Sequence, residues 1–178
     1  MKSTSVRPAR RFLAGAAAAV HAGVAYVPVS SWEEARAGDP TYACCTFRGS
    51  VVALRVHDGS NVWKTYFVDP PKETGRNAAG TPRLGPSGVG IWSTPTIDAK
   101  RNVLYVGTGN NYSPPATRDS DSVIAFDLAS GNIVWSRQQT ENDIWNGTCR
   151  RPDREAAACP DAEAPDVDFS VSPVLVAG

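Results

Sequence analysis

The chain has 178 residues, a length that suits one ordinary domain. Lysine and arginine together number 18, as do aspartate and glutamate, so no excess charge attracts nucleic acid or an anionic membrane surface. No stretch is both long enough and apolar enough to span a bilayer.

Residues 1–23 place a basic head before a short apolar run. This composition resembles an export signal, and Arg10-Arg11 resembles a twin-arginine signal. The alternative is that these residues are the damaged remains of an upstream blade, because the next strand begins at about Val24 and leaves almost no linker after a signal. We therefore place a boundary at residue 24 and expect residues 24–178 to form one domain.

An apolar strand at Val24–Val29 is followed by Ser30, Ser31 and, after one tryptophan, by Glu33 and Glu34. Carboxylates at a strand end can coordinate a hard cation such as Ca²⁺. In the other interpretation this is a solvated loop or helix start, in which Ser31 caps the helix and Glu34 completes a capping box. The residues alone leave both interpretations open.

One pattern occurs twice in the chain. The run Ser50–Leu54 leads through a glycine turn to Trp63, and 72 residues further on Ser122–Phe126 leads through a second glycine turn to Trp135. Strand, tight turn and strand together indicate a β-hairpin. We expect each tryptophan to wedge between neighbouring sheets and to bury a large apolar area.

A second strand–turn–strand pattern lies between these hairpins, at residues 93–98 and 102–107. Val24–Val29 resembles an earlier copy of its second strand, and Val171–Val176 resembles the next copy of its first. Two hairpins per period make a four-stranded sheet, and such sheets at a regular period are propeller blades. We predict an all-β fold, a partial β-propeller of about two four-stranded blades.

The period exceeds that of a usual blade, and the glycine- and proline-rich stretches 69–90 and 110–121 supply the extra length as loops. Only about two blades fit into this chain, and two blades leave sheet edges and one face uncovered. We therefore expect a fragment of a longer repeat protein or a truncated gene product.

The four cysteines form two close pairs. Cys149 and Cys159 bracket a polar insertion and can close it with a disulfide, which agrees with export. Cys44 and Cys45 are adjacent, so they form either a vicinal disulfide or two reduced thiols. Neither pair has the spacing of a zinc site.

Two further loops carry residues that suit a ligand. In Gly85–Ser93, small residues let a flat molecule approach the backbone and Trp92 can stack on it; the alternative is a flexible loop with one buried tryptophan. In Tyr105–Tyr112, a glycine-bracketed turn presents Asn110, whose amide oxygen is a good neutral ligand for Ca²⁺. The alternative there is an asparagine in a left-handed turn.

The run Gly90–Asp98 followed by Leu104–Asn111 resembles the quinoprotein dehydrogenases, which carry pyrroloquinoline quinone (PQQ) in an eight-bladed propeller. Cys44–Leu54 and Gly85–Gly88 are similar to the cytochrome-dependent polyvinyl alcohol dehydrogenases in particular. The resemblance implies PQQ and Ca²⁺ as cofactors, a secondary alcohol, small or polymeric, as substrate, cytochrome c as electron acceptor, and a periplasmic or secreted protein.

The same resemblance implies roles for individual residues. Trp92 lies flat under the quinone, and Asn110 binds Ca²⁺ together with Glu33 or Glu34, of which we favour Glu33. The remaining residues that it places at the cofactor are Ser30, Ser31, Cys44, Cys45, Arg48 and Gly90. In many relatives a vicinal disulfide lies far upstream of the stacking tryptophan, so Cys44-Cys45 is read as an independent feature close to the cofactor.

The catalytic segment departs from the family pattern. The usual Asp-x-Trp-Asp reads Asp143-Ile-Trp-Asn146 here, and the usual general base is the residue that follows the tryptophan. An amide cannot accept the alcohol proton as a carboxylate does. Either Asp143 takes this role, or Asp166 or Asp168 reaches the site, or this copy is inactive.

A non-catalytic propeller that serves as a scaffold or assembly module is the competing function. A scaffold needs the repeated tryptophan but has no reason to carry both Gly85–Trp92 and Gly107–Asn110. The two loops together favour enzyme ancestry. Because about two blades cannot enclose a cofactor, we expect that the chain by itself neither holds PQQ tightly nor turns over.

Overall fold

Two four-stranded antiparallel sheets make up most of the structure, a computed structural model that describes residues 17–151, 159–161 and 163–176. Short 3-10 helices lie at Glu33–Gly38 and Gly147–Arg150. The strands are β1 (Ala19–His21), β2 (Val24–Val29), β3 (Ser50–Arg55), β4 (Asn61–Tyr66), β5 (Lys72–Arg76), β6 (Pro82–Gly85), β7 (Ser87–Gly88), β8 (Thr96–Asp98), β9 (Val103–Gly107), β10 (Asn111–Ser113), β11 (Ser122–Asp127) and β12 (Ile133–Gln138).

The first sheet has the order β1-β2-β3-β4 and the second the order β8-β9-β11-β12, and we refer to them as the first and second blades. The two predicted hairpins are β3–β4 and β11–β12. Each contains a register shift at the same place in the repeat, at Ala53/Leu54 and at Ala125/Phe126. The all-β fold with two four-stranded blades is therefore confirmed, and the repeat extends to the bulge that twists each hairpin.

The two repeated tryptophans differ in their surroundings. Trp63 is 8% exposed and packs between the blades, with its ring stacked on Phe126 at 6.3 Å and its indole N–H donating to the carbonyl of Leu128 at 3.0 Å. Trp135 is 45% exposed and contacts Tyr105 of its own blade. The predicted wedge is confirmed for Trp63 and wrong for Trp135, because among the described residues no further blade lies against β12.

Both ends of the described chain depart from the expected boundaries. Ala19–His21 pairs with β2, so strand structure begins before residue 24. Residues 1–16, most of the predicted export segment, lie outside the described residues. The strand predicted at Val171–Val176 is wrong for the described part of the chain: these residues pair with no neighbouring strand, and only the hydroxyl of Thr96 reaches their backbone, at Pro173.

The loop before Trp92 is fixed against the first blade. The N–H of Gly49 donates to the carbonyl of Gly88 at 2.9 Å, and a side chain at Gly49 would overlap the carbonyl of Val89. Ile91, fully buried in the core between the blades, donates its N–H to Val29 at the end of β2. The loop therefore places Trp92 near the end of β2, next to the segment of serines and glutamates that follows this strand.

Both cysteine pairs, Cys44–Cys45 and Cys149–Cys159, are disulfides. This settles the open alternative at Cys44-Cys45 in favour of the vicinal bridge. In the part of the chain that the structure describes, no helix has the length and apolar character needed to cross a membrane.

Candidate functional site

Two tryptophans lie side by side at the end of β2. The rings of Trp32 and Trp92 are 5.2 Å apart between centroids and tilted by 51°, with Trp92 half-buried and Trp32 59% exposed. An exposed indole next to a second indole offers an apolar surface to a flat ligand. Sequence reasoning found Trp92 but missed Trp32, although it lies between the serines and glutamates that drew attention to this segment.

At two of the glycines before Trp92, the space left by the missing side chain is filled by other parts of the protein and not by a ligand. A side chain at Gly85 would overlap the carbonyl of Pro114, and one at Gly88 would collide with the backbone and ring of Tyr112. Next to Gly90 lie the Tyr112 hydroxyl, Ser30 and Trp92, at 3.2–3.4 Å from where a Cβ would stand. The expectation that this whole loop admits a ligand is therefore wrong at Gly85 and Gly88, and only Gly90 borders the tryptophan pair.

The turn that carries Asn110 is covered by the segment around Asp168. Phe169 donates its N–H to the carbonyl of Thr108 at 3.2 Å, and the backbone of Asn110 lies near enough to the Asp168 carboxyl to oppose the rise in its pKa. A Cβ at Gly109 would overlap Asp168 Oδ1 and lie 3.2 Å from Trp92 Nε1. Gly109 is thus the point at which the tryptophan, the asparagine and a carboxylate meet.

Asn110 itself is buried, and its side-chain nitrogen donates to the carbonyls of Asn111 and Trp145, both at 2.8 Å. With the nitrogen held in this way, a cation at this position would meet the amide oxygen. The geometry is therefore compatible with the predicted metal ligand.

The carboxylate of Glu33, which the sequence favoured as the metal ligand, accepts hydrogen bonds from the protein itself. Its Oε1 accepts the hydroxyl of Tyr42 at 2.6 Å and the hydroxyl and N–H of Thr46 at 2.9 Å. Its Oε2 accepts the N–H groups of Thr46 at 3.0 Å and Phe47 at 2.6 Å. Both oxygens of this buried carboxylate hold the loop that contains the vicinal disulfide.

Glu34 has the opposite environment. Burial raises the pKa of its carboxyl to about 7, an effect that the Tyr112 hydroxyl opposes and that the charges of Asp168 and Asp166 reinforce. The charge of Glu34 thus interacts with those of Asp168 and Asp166, whereas both oxygens of Glu33 accept hydrogen bonds from the Tyr42–Phe47 loop. We take Glu34 as the better candidate ligand.

Asp121, Asp143 and Asp168 extend this acidic group into the protein. Asp121 and Asp143 are fully buried, and both oxygens of Asp121 and Oδ1 of Asp143 have no hydrogen-bond partner. Burial, followed by the charges of Asp143 and Asp168, raises the pKa of Asp121 to about 8, and burial raises the pKa of Asp168 to about 6. Among the residues described, no three His, Cys, Asp or Glu side chains are arranged to hold a metal ion by themselves.

Asp121→Asn should make stability less dependent on pH. The carboxyl of Asp121 has its pKa raised from 3.8 to about 8 on folding, so the folded chain binds the extra proton and its stability falls as the pH rises from about 4 to about 8. Asparagine cannot ionise, and it tolerates the positive φ of 47° at this position. Urea unfolding at pH 5 and pH 8 should show a steeper loss for the wild type than for the variant.

Asp127→Asn is the matched control for Asp121→Asn. The side-chain hydrogen bond from Ser130 lowers the pKa of Asp127, so this carboxyl gives no pH dependence between pH 5 and 8. The variant should lose stability equally at both pH values. Equal slopes for the wild type and Asp121→Asn would contradict the prediction.

The residue at the usual base position has a structural role. Asn146 Oδ1 accepts the N–H and hydroxyl of Thr148, at 3.0 and 2.6 Å, and its nitrogen donates to the carbonyl of Tyr112. Asn146 therefore caps the second 3-10 helix. Asp143 is fully buried, with Oδ2 accepting the N–H of Val167. Of the carboxylates considered from the sequence, Asp168 lies beside Gly109, where Trp92 Nε1 also lies.

The remaining predicted residues divide between the site and its surroundings. Ser30 borders Gly90, and the carbonyl of Ser31 accepts the hydroxyl of Tyr112 at 2.8 Å. Arg48 points elsewhere: its Nε donates to the carbonyl of Val68, and its guanidinium lies 3.8 Å from the centroid of the Tyr66 ring. The vicinal disulfide lines a neighbouring cleft of about 440 Å³. That cleft is also bordered by Tyr42, Arg83, Ser113 and Asn146.

A family model and two curated relatives all match this chain to dehydrogenases of the PQQ type. A family model for PQQ proteins, the β-propeller domain of glucose, ethanol and alcohol dehydrogenases, matches residues 46–149. The polyvinylalcohol dehydrogenase of Sphingopyxis sp. (strain 113P3) is 40% identical over 153 residues, which are 85% of this chain and 23% of that protein. A polyvinylalcohol dehydrogenase of Pseudomonas sp. is 40% identical over 156 residues, 87% of this chain and 24% of that protein. The chain thus spans about a quarter of the length of these curated relatives.

Solved structures show the same fold at lower identity. The quinohemoprotein alcohol dehydrogenase ADHIIG of Pseudomonas putida HK5 matches with a TM-score of 0.52 at 22% identity, over 72% of this chain and 20% of that one. A europium-containing methanol dehydrogenase matches with a TM-score of 0.51 at 20% identity, over 74% of this chain and 25% of that one.

Proposed function

Because the chain belongs to the PQQ-dependent alcohol dehydrogenase family, we propose that it supplies one wall of a site at which PQQ oxidises a secondary alcohol, small or polymeric. The observation that carries this proposal is the meeting of Trp92, Asn110 and Asp168 around Gly109. A stacking surface, a neutral oxygen ligand and a carboxylate gathered around one turn are the groups that a quinone, a cation and an alcohol require.

The residues present fit both cofactors. The carboxyls of Glu34, Asp166 and Asp168 all have raised pKa values, chiefly through burial. Such crowded negative charge favours a hard cation, and Ca²⁺ takes carboxylate and amide oxygens. Glu34 and Asn110 would hold this ion, with further ligands supplied by the cofactor. Trp92, half-buried next to exposed Trp32, would hold the quinone.

When bound, PQQ supplies a two-electron acceptor and Ca²⁺ a Lewis acid. The chain's own residues would then bind and orient the cofactor and the alcohol. Trp92 fixes the plane of the flat cofactor, and Asp168 lies at the edge of that indole, where its carboxylate would take the proton of the alcohol hydroxyl. This assignment rests on position: Asn146 is used as a helix cap, and Asp143 is sealed inside the protein.

The wider setting is part of the same proposal. Electrons would pass to a cytochrome c, and the two disulfides agree with a periplasmic or secreted protein. A non-catalytic scaffold is the other candidate, but it gives no reason for a carboxylate packed against the Asn110 turn beside Trp92.

Equilibrium dialysis against PQQ in the presence of Ca²⁺ tests the proposed site. We expect the chain alone to bind PQQ more weakly than micromolar, and Trp92→Ala or Asn110→Ala to weaken binding at least about tenfold, a difference of about 1.4 kcal/mol. Trp135→Ala removes an equally large side chain outside the site and should leave binding unchanged.

Three results would count against these expectations. Micromolar binding would show that the chain alone does hold PQQ. No binding at about 1 mM PQQ, or equal loss in Trp92→Ala and Trp135→Ala, would contradict the site itself.

A further inference from the structure

Glu33 grips the loop of the vicinal disulfide on both sides. On one side the Tyr42 hydroxyl reaches Oε1, and on the other the N–H groups of Thr46 and Phe47 reach the carboxylate. Cys44 and Cys45 lie between these anchors. One buried carboxylate thus accepts from four donor groups, and bonds to an ionised acceptor are stronger than those between neutral groups.

The anchored loop leads back to the candidate metal ligand. The ring of Phe47 stacks on the ring of Tyr112, with centroids 5.7 Å apart and planes 21° apart. The hydroxyl of Tyr112 donates to the carbonyl of Ser31 at 2.8 Å, and it also acts on the carboxyl of Glu34. The chain of contacts that starts at Glu33 therefore runs through Phe47 and Tyr112 and returns to Ser31 and Glu34, which flank Glu33 in the sequence.

Tyr112 has little freedom to adjust if this path is broken. It is almost completely buried, and Gly88 lacks a side chain at the place where its ring and backbone pass. Movement of the Phe47 ring would therefore displace the Tyr112 ring and its hydroxyl. Because packed interiors transmit displacement, the position of Glu34 depends on the hold that Glu33 has on the loop.

We infer that Glu33 is a positioning residue: it anchors the Cys44–Cys45 loop and, through Phe47 and Tyr112, sets the position of Glu34. The second half of this inference rests on the proposed function, in which Glu34 binds the cation. Two adjacent glutamates thus have separate tasks, one facing the loop and one facing the site.

Reduction of the two disulfides tests the anchor. Cys45 is almost completely buried and Cys44 is half-buried beside the cleft, so the rate at which a phosphine reduces the vicinal bridge depends on how firmly the loop is held. In Glu33→Gln we expect reduction of Cys44–Cys45 to be about tenfold faster, since an amide nitrogen would face N–H donors. Cys149–Cys159 in the same molecule is the internal control and should be unchanged. Thiols trapped by alkylation and measured by mass spectrometry give both rates.

Tyr42→Phe keeps the test decisive if Glu33→Gln does not fold. It removes one hydroxyl from Oε1 and leaves the carboxylate in place, so we expect the vicinal bridge to be reduced about two- to fivefold faster. Unchanged reduction of Cys44–Cys45 in the variants that fold would overturn the anchoring role.

Terbium luminescence tests the link to Glu34. Tb³⁺ is a hard cation that prefers oxygen ligands, and Trp92, whose Nε1 lies beside Gly109 next to Asn110, is placed to sensitise it. We expect Glu34→Gln to abolish binding and Glu33→Gln and Tyr112→Phe to weaken it about tenfold. Emission lifetimes in water and heavy water should show one more coordinated water in Glu33→Gln, a signature that a loss of stability alone does not produce.

The outcomes separate this inference from the proposed function. Wild-type affinity and hydration in Glu33→Gln would overturn the link to Glu34. If the wild type binds no Tb³⁺, the proposed ion site fails and the link fails with it. The disulfide reduction rates still decide the anchoring role in that case.

Discussion

Trp63→Ala is expected to lower the free energy of unfolding by about 3–5 kcal/mol. The indole is 8% exposed, lies between the two blades, and satisfies the carbonyl of Leu128. Its removal leaves a cavity at the blade interface and takes from the carbonyl of Leu128 the closer of two donors, the other being the Tyr26 hydroxyl at 3.3 Å. Gly131 lacks a side chain where this ring packs, so the second blade has no side chain there to fill the space. Urea unfolding followed by circular dichroism measures the loss.

Trp135→Ala is the matched control, since it changes the same residue at the equivalent place in the repeat. The side chain is 45% exposed and packs on Tyr105 alone of the aromatic rings described, so we expect a loss of about 1 kcal/mol or less. Equal losses in the two variants would show that Trp63 does not hold the blades together.

Gly107→Ala is expected to release the segment that carries Asp166 and Asp168 from the second blade. A Cβ at Gly107 would overlap the backbone carbonyl of Phe169, which cannot move aside by a side-chain rotation. The hydrogen bond from Phe169 to Thr108 would break. Amide exchange at Phe169 should become at least about tenfold faster, with core amides of β9 and β11 little changed. PQQ binding should weaken as well, because Asp168 leaves the Asn110 turn.

Gly59→Ala separates this local effect from a general cost of replacing glycine. Nothing lies within 4 Å of a Cβ at Gly59, and its φ of +70° costs an alanine about 1 kcal/mol. This variant should lose some stability without faster exchange at Phe169. Unchanged exchange at Phe169 in Gly107→Ala would contradict the docking of the segment on the turn.

The sequence predicted the blades because their pattern is local. Each hairpin needs alternating apolar residues, a glycine turn and a tryptophan, all within about 14 residues, from Ser50 to Trp63 and from Ser122 to Trp135. Such signals depend on backbone geometry and on which face is buried. The same reasoning failed at Val171–Val176, because a strand forms only where a neighbour accepts its hydrogen bonds.

The candidate site was only partly predictable, because it depends on which of several similar groups faces which neighbour. Glu33 and Glu34 are adjacent and chemically identical. Only the packing of the Tyr42–Phe47 loop decides that the Glu33 carboxylate accepts hydrogen bonds from the loop and is not available to a cation. Trp32 had no periodic signal to mark it.

What the sequence by itself determined is the fold class, the family and the set of residue types available to a quinone and a cation. These follow from short-range patterns and a repeat that can be counted along the chain. What only the tertiary structure decided is the assignment of tasks: Asn146 as a cap, Glu33 as an anchor, and Asp168 in place at the Asn110 turn. Asp168 and Asn110 are far apart in sequence, and their contact exists only because Gly107 and Gly109 leave room for the returning chain.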